Sequence, residues 1–211
     1  GLNYKKALLI LIGLTFLLPK SAISQNAGSV AAGVAGLAAI TFVAIKTSKK
    51  ELAKEISHYR AKEYIANDII GAADNKVVKF ETESLASDDS AGLISIAFNC
   101  NEVNENGLLL AFFGLNTDAN GQLMDAYGFR YIPLKDAQNL FMRIDKVQDD
   151  NKKYMASDND VNNVYIEYED IKFVIYRDGG EQIRVFWNGF QVIWERAPFD
   201  RSKRRLNKWF D

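Results

Sequence analysis

Val164 to Arg196 reads "VYIEYEDIKFVIYRDGGEQIRVFWNGFQVIWER". Four short runs rich in Val, Ile, Tyr, Phe and Trp are separated by polar breaks, the composition of β-strands. Two of the breaks are specific. Gly179-Gly180 and Asn188-Gly189 each place residues that tolerate positive φ where a tight hairpin requires it. Strands joined by such turns pair antiparallel. The stretch therefore predicts a meander of "VYIEYED", "IKFVIYR", "EQIRVFW" and "FQVIWER".

The same periodicity extends towards the N-terminus. "KVVKFET" alternates, with Val78 and Phe80 inward. "GLISIAFN" and "GLLLAFFGL" are dense apolar runs suited to the centre of a sheet, and "YGFRYIPL" is a further strand ending at Pro133. Between the two groups of strands, "KDAQNLFMRIDKVQDD" changes to helical period. Ala137, Leu140, Phe141, Ile144 and Val147 form one stripe, with Asp136 placed to cap. A basic helix closes the chain through Leu206, Trp209 and Phe210, with Asp200 expected at its N-cap. The predicted fold class is α+β: a mostly antiparallel sheet with two helices on one face, preceded by an N-terminal helical segment. The order strands, helix, strands, helix is compatible with an internal duplication.

Upstream of the strands, residues 46–70 predict an amphipathic helix. Ser48 and Glu51 match a capping box, and Leu52, Ile56, Tyr59, Ile65 and Ile69 fall near one face. Further upstream, "GLNYKKALLILIGLTFLLPKSAISQN" has the parts of a secretory signal. Lys5 and Lys6 precede an apolar run from Ala7 to Leu18, and Ala22-Ile23-Ser24 supplies small residues for cleavage. The expected organisation is a signal peptide at 1–24, a Gly/Ala-rich apolar helix at 25–46, an amphipathic helix or linker at 47–73 and an α+β globular domain at 74–211. The expected localisation is bacterial and exported: periplasm, outer envelope or secreted.

Ala27 to Ile45 is free of charge. As an α-helix it would measure about 28 Å, close to the hydrocarbon thickness of a bilayer. Its small residues are ordered. Gly28, Ala32 and Gly36 recur every fourth position, with Gly33 beside them. A ridge of this kind lets another helix approach closely. Insertion into a membrane, packing against a partner protein or its own copies, and a plain Ala/Gly tether are its three uses.

Charge is unevenly distributed. From Glu81 to Asp170 there are seventeen Asp and Glu against six Lys and Arg; from Arg196 to Lys208 there are six basic residues and one acid. The basic end suits the chain's own acidic middle or an acidic lipid surface, and export argues against nucleic acid as its partner.

No motif of an established chemistry emerges. The chain lacks a phosphate loop, a nucleophile elbow and a His-based metal motif. Its one cysteine, Cys100, is expected as a buried thiol and its one histidine, His58, as a surface residue. Asn116, Asp118, Asn120 and Gly121 match half of a calcium loop, but Tyr127 stands where a bidentate Glu is required, so a turn is expected. "SDNDVNN", Ser157 to Asn163, is expected as a solvated loop. The carboxylate groups Asp88-Asp89, Asp149-Asp150 and Glu167 with Glu169 and Asp170 lack a catalytic pattern.

The expectation is therefore a non-enzymatic, envelope-associated interaction or structural protein without cofactor. It would engage a protein partner, a membrane or a second copy through Gly28, Ala32, Gly33 and Gly36. The alternative is a small-ligand or lipid-binding module that uses an aromatic sheet face, with Arg184, Trp187 and Trp194 as the candidate surface.

Overall fold

In a computed structural model, the described residues are 50–71, 77–88, 92–114, 116, 118–122, 124–155 and 163–211. The expected signal region and the Gly/Ala-rich segment lie outside them, with the expected contact residues Gly28, Ala32, Gly33 and Gly36. The chain divides into two units, Gly1–Leu52 and Ala53–Asp211. Of the first, residues 50–52 are described and are helical. The second contains everything below.

Eight strands form two sheets. β1 (Glu81–Asp88), β2 (Leu93–Cys100), β3 (Glu105–Phe113) and β4 (Tyr127–Pro133) make one antiparallel meander. β5 (Val164–Tyr168), β6 (Ile171–Arg177), β7 (Glu181–Trp187) and β8 (Phe190–Glu195) make the other. The α+β class and the antiparallel pairing agree with the expectation. The strands divide between two sheets instead of joining one, because Leu134–Asp150 intervenes as a helix and no strand pairs across it.

The helix α1 covers 53–70, α2 is Leu134–Asp150 and α3 is Arg196–Phe210. Each half of the unit thus runs four strands, then a helix. The packing is reciprocal as well. α2 lies against β3 and β4 of its own sheet and β5 of the other, while α3 lies against β7 and β8 of its own and β1 of the other. One core joins the inner faces of both sheets to both helices. At its centre Phe141 of α2, Trp194 of β8 and Phe199 of α3 meet edge-on, with centroids 5.1 to 5.5 Å apart. Such ring geometry adds to area burial.

The caps differ from their sequence assignments. Pro133 is the N-cap of α2, without a side-chain hydrogen bond, and Asp136 lies inside the first turn. α3 begins at Arg196, so Pro198 is inside its first turn and Asp200 pairs with Arg196. The two helices are tied by Asp145, which binds Arg196 at 2.9 Å and also Lys203. The basic end of the chain does meet its acidic middle here.

β1 is more polar than any strand read from the sequence, and it starts at Glu81, just past Val78 and Phe80. A bulge between Ser84 and Ala86 lets neighbouring Leu85 and Ala86 both be buried. Arg205 of α3 donates to the Leu85 carbonyl at 3.0 Å and holds that irregularity in place.

The two sheets differ on their outer faces. In β2 and β3 nearly every residue is buried on both sides. α1 lies over the outer face of the first sheet, where Tyr64 stacks on Phe129 at 5.0 Å. α1 contains two π-helical stretches, Ile56–Arg60 and Ile65–Ile70, and the Ala61 N–H bonds five residues back to Ile56. That wider turn carries the buried stripe through Ala53, Ile56, Ala61 and Ile65, and leaves Tyr59 73% exposed. A strict 3.6-residue period had placed Tyr59 inward. The second sheet alternates buried and exposed along β6, so its outer face is open.

Candidate functional site

The open face is built by register. Tyr165 pairs with Val174, Val174 with Arg184 and Arg184 with Ile193, in one row across β5, β6, β7 and β8. The adjacent row carries Glu167, Lys172, Phe186 and Gln191. The row on the other side holds Tyr176, Gln182 and Glu195. Directly opposed residues share a face of the sheet, so these side chains all point outward.

A groove of about 510 Å³ runs over this face, with Val174 at its middle and Tyr165, Lys172, Tyr176, Arg184 and Phe186 around it. Two cation–π contacts arrange its charges. Lys172 Nζ stands 5.1 Å from the Tyr165 ring centre, and the Arg184 guanidinium 5.7 Å from that of Tyr176. Both are diagonal neighbours across strands. The cations are held against tyrosine faces while remaining exposed, and Tyr165 itself is 58% exposed. The carboxylates of this face, Glu167 and Glu195, are not among the groove-lining residues.

Of the sequence-predicted surface, Arg184 is on the groove. Trp187 and Trp194 are not. The Asn188-Gly189 turn sets Trp187 opposite Phe190, and Ile183 opposite Trp194. Both tryptophans therefore share the inner face with Ile183 and Val185, and Arg184 is on the other. Trp194 is 3% exposed and belongs to the core. Trp187 packs on Phe112 at 5.0 Å and donates its indole N–H to Asp170 at 2.9 Å. The aromatics that accompany Arg184 are Tyr165, Tyr176 and Phe186. Counting by twos through the two-residue turn is the sequence signal that identifies them.

The remaining polar clusters serve as ties between elements. Arg130 of β4 binds Asp170 at 2.8 Å and also Glu169. Burial acts against the Asp170 charge, but hydrogen bonds from Arg130 and Trp187 prevail and hold its carboxyl below the usual range. Tyr168 donates to Asp136 at 2.8 Å, and burial together with that carboxylate pushes its phenol up to about 12. Tyr131, half-buried and bonded to Glu105 at 2.8 Å, is shifted upward too. Asp149 and Asp150 pair with Lys152 and Lys146.

The half-matched calcium loop is a turn. Asp118 Oδ1 accepts the backbone N–H groups of Asn120 and Gln122 at 2.9 Å each, and Tyr127 begins β4. Cys100 is buried, and its thiol donates to the Lys79 carbonyl at 3.3 Å. His58 is exposed on α1. "SDNDVNN" lies outside the described residues except for Asn163. Among the described residues no three His, Cys, Asp or Glu come together to hold a metal ion, and no helix is long and apolar enough to cross a membrane.

No protein-family model matches this chain, and neither a curated protein nor a solved structure shows significant similarity to it.

Proposed function

We propose that this chain is a non-enzymatic binding protein of the cell envelope, and that the outer face of β5–β8 is its recognition surface. The observation that supports it is the groove over Val174, an open concavity with aromatic and cationic walls on a four-stranded sheet. Its volume lies within the range of small-molecule sites. The corresponding face of the first sheet is filled and covered, so the two halves of the unit have parted in role. The charged pairs Arg130–Asp170 and Arg196–Asp145 tie separate elements together, and Lys146–Asp150 lies along α2, which leaves binding as the better use of the fold than catalysis.

The test is a titration of the isotope-labelled full chain with a panel of small phenols, sugars and amphiphiles. At least one class shifts the signals of Tyr165, Val174 and Phe186 while those of the Phe141–Trp194–Phe199 core stay fixed. A panel that leaves the outer face unmoved overturns the reading.

A second contact rests on the sequence pattern. Export would be directed by residues 1–24, and the ridge of Gly28, Ala32, Gly33 and Gly36 would pack against a membrane, a partner protein's helix or a second copy. An alkaline carbonate wash of the cell envelope checks it. Release of the intact protein as a monomer removes this attachment.

A further inference from the structure

We infer that the groove takes a compact organic anion with a planar apolar body, its charge placed between Lys172 and Arg184 and its ring over Val174. This rests on the proposal that the outer face of β5–β8 is a binding surface, and it names the ligand class.

Three observations converge. First, the groove lining includes two cations and no carboxylate. Lys172 pairs with Phe186 and Arg184 with Val174, so the two cations are diagonal neighbours on adjacent strands. Diagonal side chains of this length lie within reach of a single shared partner. Secondly, each cation rests on a tyrosine face, Lys172 on Tyr165 and Arg184 on Tyr176. This orders two long side chains before any ligand arrives and lowers the entropy lost on binding. Thirdly, the floor between them is apolar. Val174 and Phe186 are half-buried, and the cross-strand partner of Arg184 on its far side is Ile193. A wholly polar ion would leave that floor wet, and a neutral ring would make no use of the two cations.

The surroundings select a compact ligand over an extended anionic surface. On the same face, Glu167 pairs with Lys172 from β5 and Glu195 with Gln182 from β7. Across the whole face the two cations are balanced by two carboxylates. A membrane rich in anionic lipid would press against all four, whereas a small anion meets only the cationic centre.

Naphthalene-2-carboxylate and its neutral isostere naphthalene-2-carboxamide are the probes, titrated into the full chain at low ionic strength. The carboxylate binds at least tenfold more tightly than the amide, and shifts Tyr165, Val174 and Phe186. Lys172→Gln and Arg184→Gln each weaken the carboxylate about tenfold, as expected for loss of a charge-assisted contact, and weaken the amide far less. Both positions are exposed and Gln keeps the first two methylenes of each stem, so the fold is retained; unchanged circular dichroism verifies this. Equal binding of the two probes at the groove overturns the anion class while the groove stands as a binding surface. Silence of the groove towards both probes and towards the wider panel removes the surface itself. Binding to phosphatidylglycerol vesicles, lost in the double variant and unmatched by either soluble probe, overturns the compact ligand in favour of a membrane.

Discussion

Arg130 and Asp170, forty residues apart in sequence, are joined by a hydrogen-bonded ion pair of 2.8 Å from Arg130 Nε to Asp170 Oδ1. The pair connects β4 of the first sheet to the β5–β6 turn of the second. Glu169, in the same turn, has φ of +49° and also binds Arg130. Few non-glycine residues take that conformation, so the clamp holds a turn that local propensity does not favour.

Asp170→Asn is expected to lower stability by about 1 kcal/mol, a modest value because the Asp170 side chain is 60% exposed. The pH dependence has a definite sign. The Asp170 carboxyl is depressed below its ordinary 3.8 in the folded chain, so its contribution is present above that pH and lost as pH falls through the lower, folded value. Urea unfolding between pH 2 and 7 checks this. The wild type loses stability below about pH 4 more steeply than the Asn variant.

Gly189→Ala is expected to destabilise by roughly 2 to 4 kcal/mol. Gly189 has φ of +81°, and a Cβ there would sit 2.4 Å from Asn116 Oδ1. Asn116 is buried, and its amide donates to the Asn188 carbonyl at 3.2 Å. Asn116→Ala in the same chain removes the clash but not the backbone strain. The double variant therefore recovers part of the loss, and a double-mutant cycle by denaturant unfolding shows non-additive energies.

Trp194→Ala is expected to cost about 3 to 5 kcal/mol, since it empties the centre of the aromatic cluster with Phe141 and Phe199. A surface ligand-binding tryptophan would show a far smaller loss. Iodide quenching in variants that retain a single tryptophan gives an independent check. Trp194, 3% exposed, is protected, and half-buried Trp187 and Trp209 are quenched more readily.

Tyr168 is expected to titrate late. Burial and the Asp136 carboxylate raise its phenol to about 12, so the neutral form is favoured on folding. Its contribution to stability is whole below the unfolded value of 10 and disappears between there and about 12. Absorbance at the tyrosinate wavelength follows it. Tyr168→Phe removes one late-titrating group and loosens the link between β5 and the first turn of α2.

Several elements were plain in the sequence because their causes are local. The Asn188-Gly189 and Gly179-Gly180 turns take positive φ, as their residue types predict; the first is the two-residue hairpin expected, whereas Arg177 opposes Glu181, so Asp178 joins Gly179-Gly180 in a three-residue loop. The α2 stripe of Ala137, Leu140, Phe141 and Ile144 is buried as its period requires. Of the residues expected on the candidate surface, Arg184 lies on the open face, and the parity that puts Trp187 and Trp194 behind it follows from the two-residue turn once the pairing is counted through. β1 was misjudged because its strand character comes from pairing with β2 and from Arg205 on the bulge, neither of which marks the residues "ETESLASD" themselves. The α1 face was misjudged at Tyr59 because a π turn changes the period without a sequence mark.

By itself, the amino-acid order determined β2 to β8, the Asn188-Gly189 hairpin and the α2 stripe, since side-chain period and turn chemistry act over a few residues. Only tertiary structure decided that eight strands form two sheets, that one outer face lies under α1, and that the other presents Lys172 and Arg184 on tyrosine rings. Those outcomes depend on which distant surfaces meet, and the free energy of that choice lies in contacts between segments rather than within them.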